Sequence, residues 1–397
     1  MTKAKFLVLF TVFIDVIGLG IIIPVMPTYV ESFGASPSEI TILFSVFAFF
    51  SFLSAPILGG LSDQWGRRPI LLISILSSAI GWFVFASAHS LLLLFIGRII
   101  DGLAAGNFPT AQSAIADMAK DDSERTANIG LTGMIFGIGF LVGPFLGGVL
   151  STVSHAFPFW FVAFLSFANF ISAYFFLPET HTHRISHGRI QWNPFVPLIQ
   201  GLKDIKVRKL YITWFSFNAI AMASNTIFAL YLSHVFGFGS YGSGLFFTGI
   251  GVIIAFNQGF ALKKFWLKHF TEKKLIVGAL AAFVVGFACM SYPVLLFFIG
   301  GITITAFAQS LLRVAITSEV YGETPRERRG QASGVLSSVA SVATIVGPLI
   351  AGYVFEYGHA LPYMIMAGMS LCTVIYIAKR IFPRIDPDEA VKADVYQ

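Results

Sequence analysis

Three ionisable side chains stand inside stretches that are otherwise apolar: Asp15 in the run that begins at Phe6, and Arg98 with Asp101 in the run that begins at Leu91. A charge held in such a stretch costs several kcal/mol unless it is paired or hydrated, so each is a functional candidate by default. Arg98 and Asp101 are three residues apart and share one face of a helix. Low-dielectric surroundings favour the neutral acid, whereas a nearby guanidinium favours the carboxylate. A proton can therefore compete with Arg98, or with a cationic guest, for the same oxygen atoms. On this reading Asp15 and Asp101 are proton-titrating or cation-attracting groups, and Arg98 is the partner that sets their affinity. The competing reading makes Arg98 and Asp101 a structural ion pair.

A second set is polar but mostly uncharged. Asn218 and Asn225 are seven residues apart, and Thr305, Gln309 and Arg313 follow one another at a spacing of four, so each set projects from one side of its helix. With Gln112 they are candidate substrate-binding groups, interhelical hydrogen bonding being the alternative, as it is for Asn257 and Gln258. Of the 43 phenylalanines most must face lipid or pack helices; Phe108, Phe136 and Phe217 are the cavity candidates. Enzyme chemistry has no support. There is neither a Ser/His/Asp set nor a His-Glu-x-x-His motif, and no Walker-type loop for ATP. The two cysteines, Cys289 and Cys372, both lie in apolar stretches. The expectation is no cofactor and no metal; His181, His183 and His187 sit in a polar loop without a carboxylate or cysteine cluster, where solvation is the ordinary state.

The elements that must position these residues are membrane helices. Charged residues make up 12% of 397 and hydrophobics 56%, too few charges to cover a water-soluble surface. The apolar stretches number twelve, near 5–30, 40–62, 70–88, 91–117, 128–150, 157–177, 209–235, 242–263, 274–292, 295–318, 331–353 and 360–379, each about the 20 residues that span a bilayer. The first resembles a signal peptide, but Asp15 interrupts it, it runs past Pro27 and no small-residue cleavage site follows, so it reads as the first transmembrane helix. If the N-terminus is cytoplasmic, 24 of the 26 basic residues fall in cytoplasmic loops and none in outer ones; the other two are Arg98 and Arg313. The net charge of +6 is then a topology signal facing anionic lipid, and not a sign of nucleic-acid binding.

The chain also repeats itself. Val142-Gly143-Pro144-Phe145-Leu146-Gly147-Gly148 in the fifth span is matched by Val346-Gly347-Pro348-Leu349-Ile350-Ala351-Gly352 in the eleventh, each preceded upstream by an acidic–basic pair, Glu124-Arg125 and Glu327-Arg328. A duplicated six-helix unit implies two bundles with a substrate path between them, and rocking one against the other gives alternating access. The expected organisation is a bundle over 1–177, a linker over 178–208, a second bundle over 209–381 and a cytoplasmic tail over 382–397. Within the linker Phe195, Leu198, Ile199, Leu202 and Ile205 fall at helical spacing, which predicts a short helix on the inner interface.

The loop Gly59-Gly60-Leu61-Ser62-Asp63-Gln64-Trp65-Gly66-Arg67-Arg68-Pro69 resembles the signature loop of the major facilitator superfamily. Together with Arg98-Ile99-Ile100-Asp101-Gly102 and with Gly133, Gly137, Gly139, Gly143, Pro144, Gly147 and Gly148 of the fifth span, it is similar to the drug:proton antiporter branch. Asp15-x-x-Gly18-x-Gly20-x-x-x-Pro24-x-x-Pro27 resembles the tetracycline-resistance efflux proteins. One departure is Gly81, where those exporters carry an acidic residue in the third helix; it argues against tetracycline itself as cargo. In the second half Lys263 and Lys268 stand where Asp63 and Arg68 do in the first.

The resemblance implies an all-α integral membrane fold of twelve helices in two pseudo-symmetric bundles. The first, fourth, seventh and tenth helices would line the cavity. It implies a conformational gate at Gly60, Asp63, Gly66, Arg67 and Arg68, with Asp63 meeting the positive N-terminus of a neighbouring helix, the eleventh near Arg329. Gly139, Gly143, Pro144, Gly147 and Gly148 form a helix-packing antiporter motif with a kink at Pro144. The expected function is proton-coupled export of amphipathic, cationic or zwitterionic drug-like molecules from a bacterial cytoplasm, by a monomer in the inner membrane with both termini cytoplasmic. Its partners are a small-molecule substrate, protons and lipid. The alternatives are export of a physiological metabolite (a sugar, siderophore or lipid-linked molecule) and a non-transporting receptor or scaffold.

Overall fold

The computed structural model describes residues 3–119, 121–180, 193–203, 205–325 and 328–381. Among these, twelve helices are long and apolar enough to cross a membrane: Ala4–Glu31, Pro37–Trp65, Arg67–Ala86, Leu91–Asp117, Gly130–Leu150, Phe157–Phe176, Val207–Phe236, Ser240–His269, Glu272–Met290, Leu295–Glu323, Arg329–Tyr357 and Leu361–Ala378. They are numbered here in chain order. The chain therefore forms an all-α fold of twelve spans, as the charge distribution predicts. The tail 382–397 and the three linker histidines lie outside the described residues.

In the first half the first helix packs on the fifth and sixth, and the third on the fourth and sixth. In the second half the seventh packs on the eleventh and twelfth, and the ninth on the tenth and twelfth. The halves meet most extensively through two contacts that exchange under the internal repeat, second against eleventh and fifth against eighth, with the first helix also touching the seventh and eighth. This is the arrangement of two pseudo-symmetric bundles.

Local sequence sets the helix ends. Ser36 and Glu39 form a reciprocal capping box, with Pro37 opening the second helix. Gly66, at φ 108°, turns the chain directly from the second helix into the third. The fourth span is not continuous. Leu91–Leu103 and Asn107–Asp117 are separate helices, and residues 104–106 between them are not helical. Gly102 and Gly106 bracket this break, and Pro109 occupies the first turn of the second piece, where a missing N–H is tolerated. The eighth span widens into a π-helix over Asn257–Trp266.

The helix expected in the linker is present as Val196–Lys203. Phe195 and Ile199 are exposed, but the helix does more than lie on an interface: it packs on the eleventh helix, with Gly201 close against Val335.

The two bundles are joined at one end. We call the end where the first helix begins proximal, and the opposite end distal. Distally, Thr28 and Ser240 hydroxyls are 2.5 Å apart, the Ser45 hydroxyl donates to the Ile345 carbonyl at 2.9 Å, and Glu31 faces His234 at 3.6 Å. The cross-bundle hydrogen bonds and ion pair named here all lie toward the distal end.

Candidate functional site

The break in the fourth span is where the buried charges gather. The Asp101 carboxylate receives Nη1 of Arg98 at 3.1 Å and the Ser78 hydroxyl of the third helix at 2.8 Å. Asn107, first residue of the lower helical piece, directs its amide nitrogen to Asp15 Oδ1 at 3.1 Å and, at the longer distance of 3.5 Å, to Ser78. An unbroken polar chain thus runs Asp15, Asn107, Ser78, Asp101, Arg98 across the first, fourth and third helices. The helix break makes this possible, because it lets Asn107 reach the first helix while Asp101, six residues earlier, faces the third.

The members of the chain are held unequally. Arg98 is 2% exposed and lies over the rings of Phe47 at 4.2 Å and Trp82 at 5.3 Å, two cation–π contacts that fix it in an apolar wall. Asp101 is bound by both a guanidinium and a hydroxyl. Asp15 is only partly buried and is held by a single amide donor. Of the two carboxylates it is the one with fewer hydrogen-bond partners among the described residues. Around the break, Asn107 Oδ1, Ser74 Oγ and Thr110 Oγ1 are buried with no hydrogen-bond partner in the protein, an arrangement suited to water or a ligand's polar group.

Gly81 has a steric explanation. Its Cβ would lie 2.9 Å from both Asp101 Cβ and the Gly97 carbonyl oxygen, so the third helix has no room for an acidic side chain beside Asp101.

The second bundle assembles a different set. Asn225 and Ser224 of the seventh helix meet Thr305 and Gln309 of the tenth around a small cavity walled by Phe228, Phe283, Phe287 and Met290. Its free space is about 20 Å³, enough for about one water. Arg313, one turn beyond Gln309, is exposed and carries no ion pair among the described residues. Asn218 does not join this group; its amide turns back to the Trp214 carbonyl on its own helix at 2.8 Å. Gln112 is half-buried in the lower piece of the fourth span and stands apart from the cavity. Asn257 is fully buried and is bonded to Ser310 and to Trp266, so its polarity ties the eighth helix to the tenth. Of the aromatic candidates, Phe217 is a core residue stacked on Phe283 and tilted against Trp214, and Phe108 and Phe136 pair with each other.

The signature loop is pinned within its own half. The Glu179 carboxylate accepts the backbone N–H groups of Arg67 at 2.9 Å and Arg68 at 3.3 Å, just beyond Gly66. Arg67 binds Asp63 and Ser62, and also Asp117 at the end of the fourth span at 3.0 Å. The Arg68 guanidinium donates to the Tyr174 carbonyl. Asp63 is thus bound to Arg67, and among the described residues no hydrogen bond or ion pair joins it to the start of the eleventh helix. Gly60, in the last turns of the second helix, is half-exposed.

The fifth helix stays continuous through Pro144. One face of its glycine motif lies on the first helix: a Cβ at Gly143 would be 2.8 Å from Gly20 Cα, one at Gly147 3.0 Å from Ile21 Cα, and one at Gly139 3.0 Å from Val16. The other face crosses to the second bundle. A Cβ at Gly148 would be 3.4 Å from Gly244 Cα, and one at Gly244 would meet the Pro144 carbonyl at 2.6 Å. At Gly143 and Gly244 the facing backbone is too near for any side chain, so small residues are what let the helices approach.

Comparison with known proteins follows the same lines. The family model described as Major Facilitator Superfamily matches residues 8–266 and 262–395. The chain is 28% identical over 389 residues to the quinolone resistance protein NorA of Staphylococcus aureus, covering 95% of this chain and 96% of that protein. It is 26% identical over 386 residues to the class B tetracycline resistance protein of Escherichia coli, with 93% of each chain covered. In three dimensions it is similar to the human organic anion transporter MFSD10, with a TM-score of 0.70 at 21% identity, covering 95% of this chain and all of that one.

Proposed function

The chain belongs to the Major Facilitator Superfamily, and from that premise we propose that it is a proton-coupled exporter of amphipathic drug-like molecules. At the coarser level it is a multi-pass membrane protein and a secondary transporter of small molecules, not an enzyme. The proposed exporter sits in a bacterial inner membrane as a monomer with cytoplasmic termini, and its units are the bundles 1–177 and 209–381 joined by the linker 178–208.

One observation carries the reading: the buried chain from Asp15 to Arg98, strung across a broken helix in an otherwise apolar bundle. In the proposed cycle a cleft opening on the proximal side admits cargo from the cytoplasm. A cationic group on the cargo displaces the proton at Asp15, Asn107 passing its amide hydrogen bond from one state to the next, while Asp101 stays bound to Arg98. The amides and hydroxyls of Asn225, Ser224, Thr305 and Gln309 receive neutral polar groups, and Arg313 receives an acidic one. A zwitterion satisfies both halves of the site better than a simple cation does. Relatives named for quinolone and tetracycline resistance support a drug-like cargo. The driving force is sufficient: one charge moved through 100 mV is worth about 2.3 kcal/mol, roughly a fifty-fold gradient.

The test is uptake into inverted membrane vesicles with proton release recorded in parallel, screened over zwitterionic and cationic antibiotics and dyes. Asp15→Asn should abolish proton-linked accumulation while leaving the protein folded. Wild-type accumulation with wild-type proton exchange in that variant would sink the assignment.

A further inference from the structure

The distal closure holds a titratable pair that the central chain does not use. His234, in the last turn of the seventh helix, places Nε2 3.6 Å from Oε1 of Glu31, the last residue of the first helix. The two belong to different bundles, so the contact exists only while the distal ends are together. The other ring nitrogen, Nδ1, is 3.0 Å from the Leu230 carbonyl oxygen. A carbonyl can only accept, so Nδ1 carries a hydrogen and, in a neutral ring, Nε2 is left as a lone pair. A lone pair facing a carboxylate is repulsive. The contact becomes attractive when one further proton is present, either on Nε2 or on the carboxyl group.

The surroundings favour this pair as the holder of that proton. His359, between the eleventh and twelfth helices, lies 5.2 Å from the His234 ring and stacks on Phe355. Burial, and then the charge of His234, hold His359 below the ordinary histidine range. The remaining acid nearby, Glu356 of the eleventh helix, is engaged by the backbone N–H and hydroxyl of Ser38 from the second. Among the described residues the titratable groups facing His234 are therefore Glu31 and His359, and only Glu31 can share a proton with it.

We propose that Glu31 and His234 form a proton-binding latch across the two bundles, shutting the distal gate when it holds a proton and releasing it when the proton leaves. This site is separate from the Asp15 chain. It rests on the alternating motion of the bundles, and neither on the identity of the cargo nor on Asp15 as the proton carrier.

The experiment uses the full-length protein in lipid nanodiscs with Cys289 and Cys372 replaced by serine. Spin labels are attached through His89→Cys and Tyr292→Cys, on distal loops of the two bundles, and their separation is measured by pulsed electron resonance between pH 5 and 9. The open fraction should rise about tenfold from the acid to the alkaline end of that range. His234→Lys keeps a cation at every pH tested and should stay closed at pH 9. Glu31→Gln can donate to the neutral ring without an added proton, so its pH step should vanish. Asp15→Asn should keep the step, which separates failure of the latch from failure of the central site. A separation independent of pH in the wild type overturns the proposal. So does opening of His234→Lys and Glu31→Gln in step with the wild type, and should His234→Lys not fold, Glu31→Gln alone decides.

Discussion

The centres of the two bundles are built on the same frame with opposite chemistry. In the first, carboxylates and a guanidinium are wired together through Asn107 and Ser78 and sealed by Phe47 and Trp82. In the second, amides and hydroxyls surround a small cavity, and the one guanidinium nearby is exposed. The repeat has kept what packing requires, the Gly-Pro pairs of the fifth and eleventh helices, while the ionisable groups have been left to one side. Arg98 and Arg313 bring out the contrast. One is a buried charge with a carboxylate partner and two aromatic rings around it, the other an exposed charge with no ion pair among the described residues. On the function proposed above, this contrast would be a division of labour, with energy coupling in the first bundle and cargo recognition shared with the second.

The largest expected break in this comparison is Arg98→Ala. It leaves Asp101 buried without its counter-ion and should cost about 3–5 kcal/mol, read as a loss of thermal stability in detergent. Next is Gly143→Leu, which pushes a side chain into the backbone of Gly20; overpacking of this kind costs about 1–3 kcal/mol, and the same assay should place it between Arg98→Ala and the wild type. Gln309→Ala and Asn225→Ala should each weaken cargo affinity about threefold to tenfold, one hydrogen bond's worth, with proton release per molecule transported unchanged. A matched loss of coupling would erase the proposed division between halves. The smallest stability effect belongs to Arg313→Ala, within about 0.5 kcal/mol as for other exposed sites. Its signature is selectivity: binding of acid-bearing cargo falls while binding of simple cations does not. Equal losses for both would remove Arg313 from the recognition surface.

Much of this was legible in the sequence because the bilayer imposes a coarse code. Charge scarcity and the spacing of apolar runs yield the twelve spans, and the cost of a buried charge singles out Asp15, Arg98 and Asp101. The residues joining them were not legible. Asn107 and Ser78 look like ordinary small polar residues in helices; only the Gly102–Gly106 bracket followed by Pro109 hints at the break that turns Asn107 toward Asp15. Glu179 and Asp117 hold the signature loop from more than 45 residues away in sequence, a proximity that periodicity cannot reveal. Asn218 and Asn225 share a spacing, yet one is spent on its own helix and the other opens on the cavity, because a side chain's hydrogen-bond partner depends on what packs across from it. The contact anticipated for Asp63 would cross between bundles, whereas the partner seen among the described residues is Arg67 of its own loop.

The glycine contact between the fifth and eighth helices also has a mechanical consequence. Gly148 and Gly244 bring two backbones together close to the distal surface, so the long remainder of the fifth helix hangs from that point as an arm. From Gly148 to Asp122 it measures about 39 Å at 1.5 Å per residue. A tilt of about 10° about such a pivot would sweep the proximal tip through about 7 Å, while the glycines themselves would hardly shift. Leverage of this kind lets a small repacking at one surface work an opening at the other.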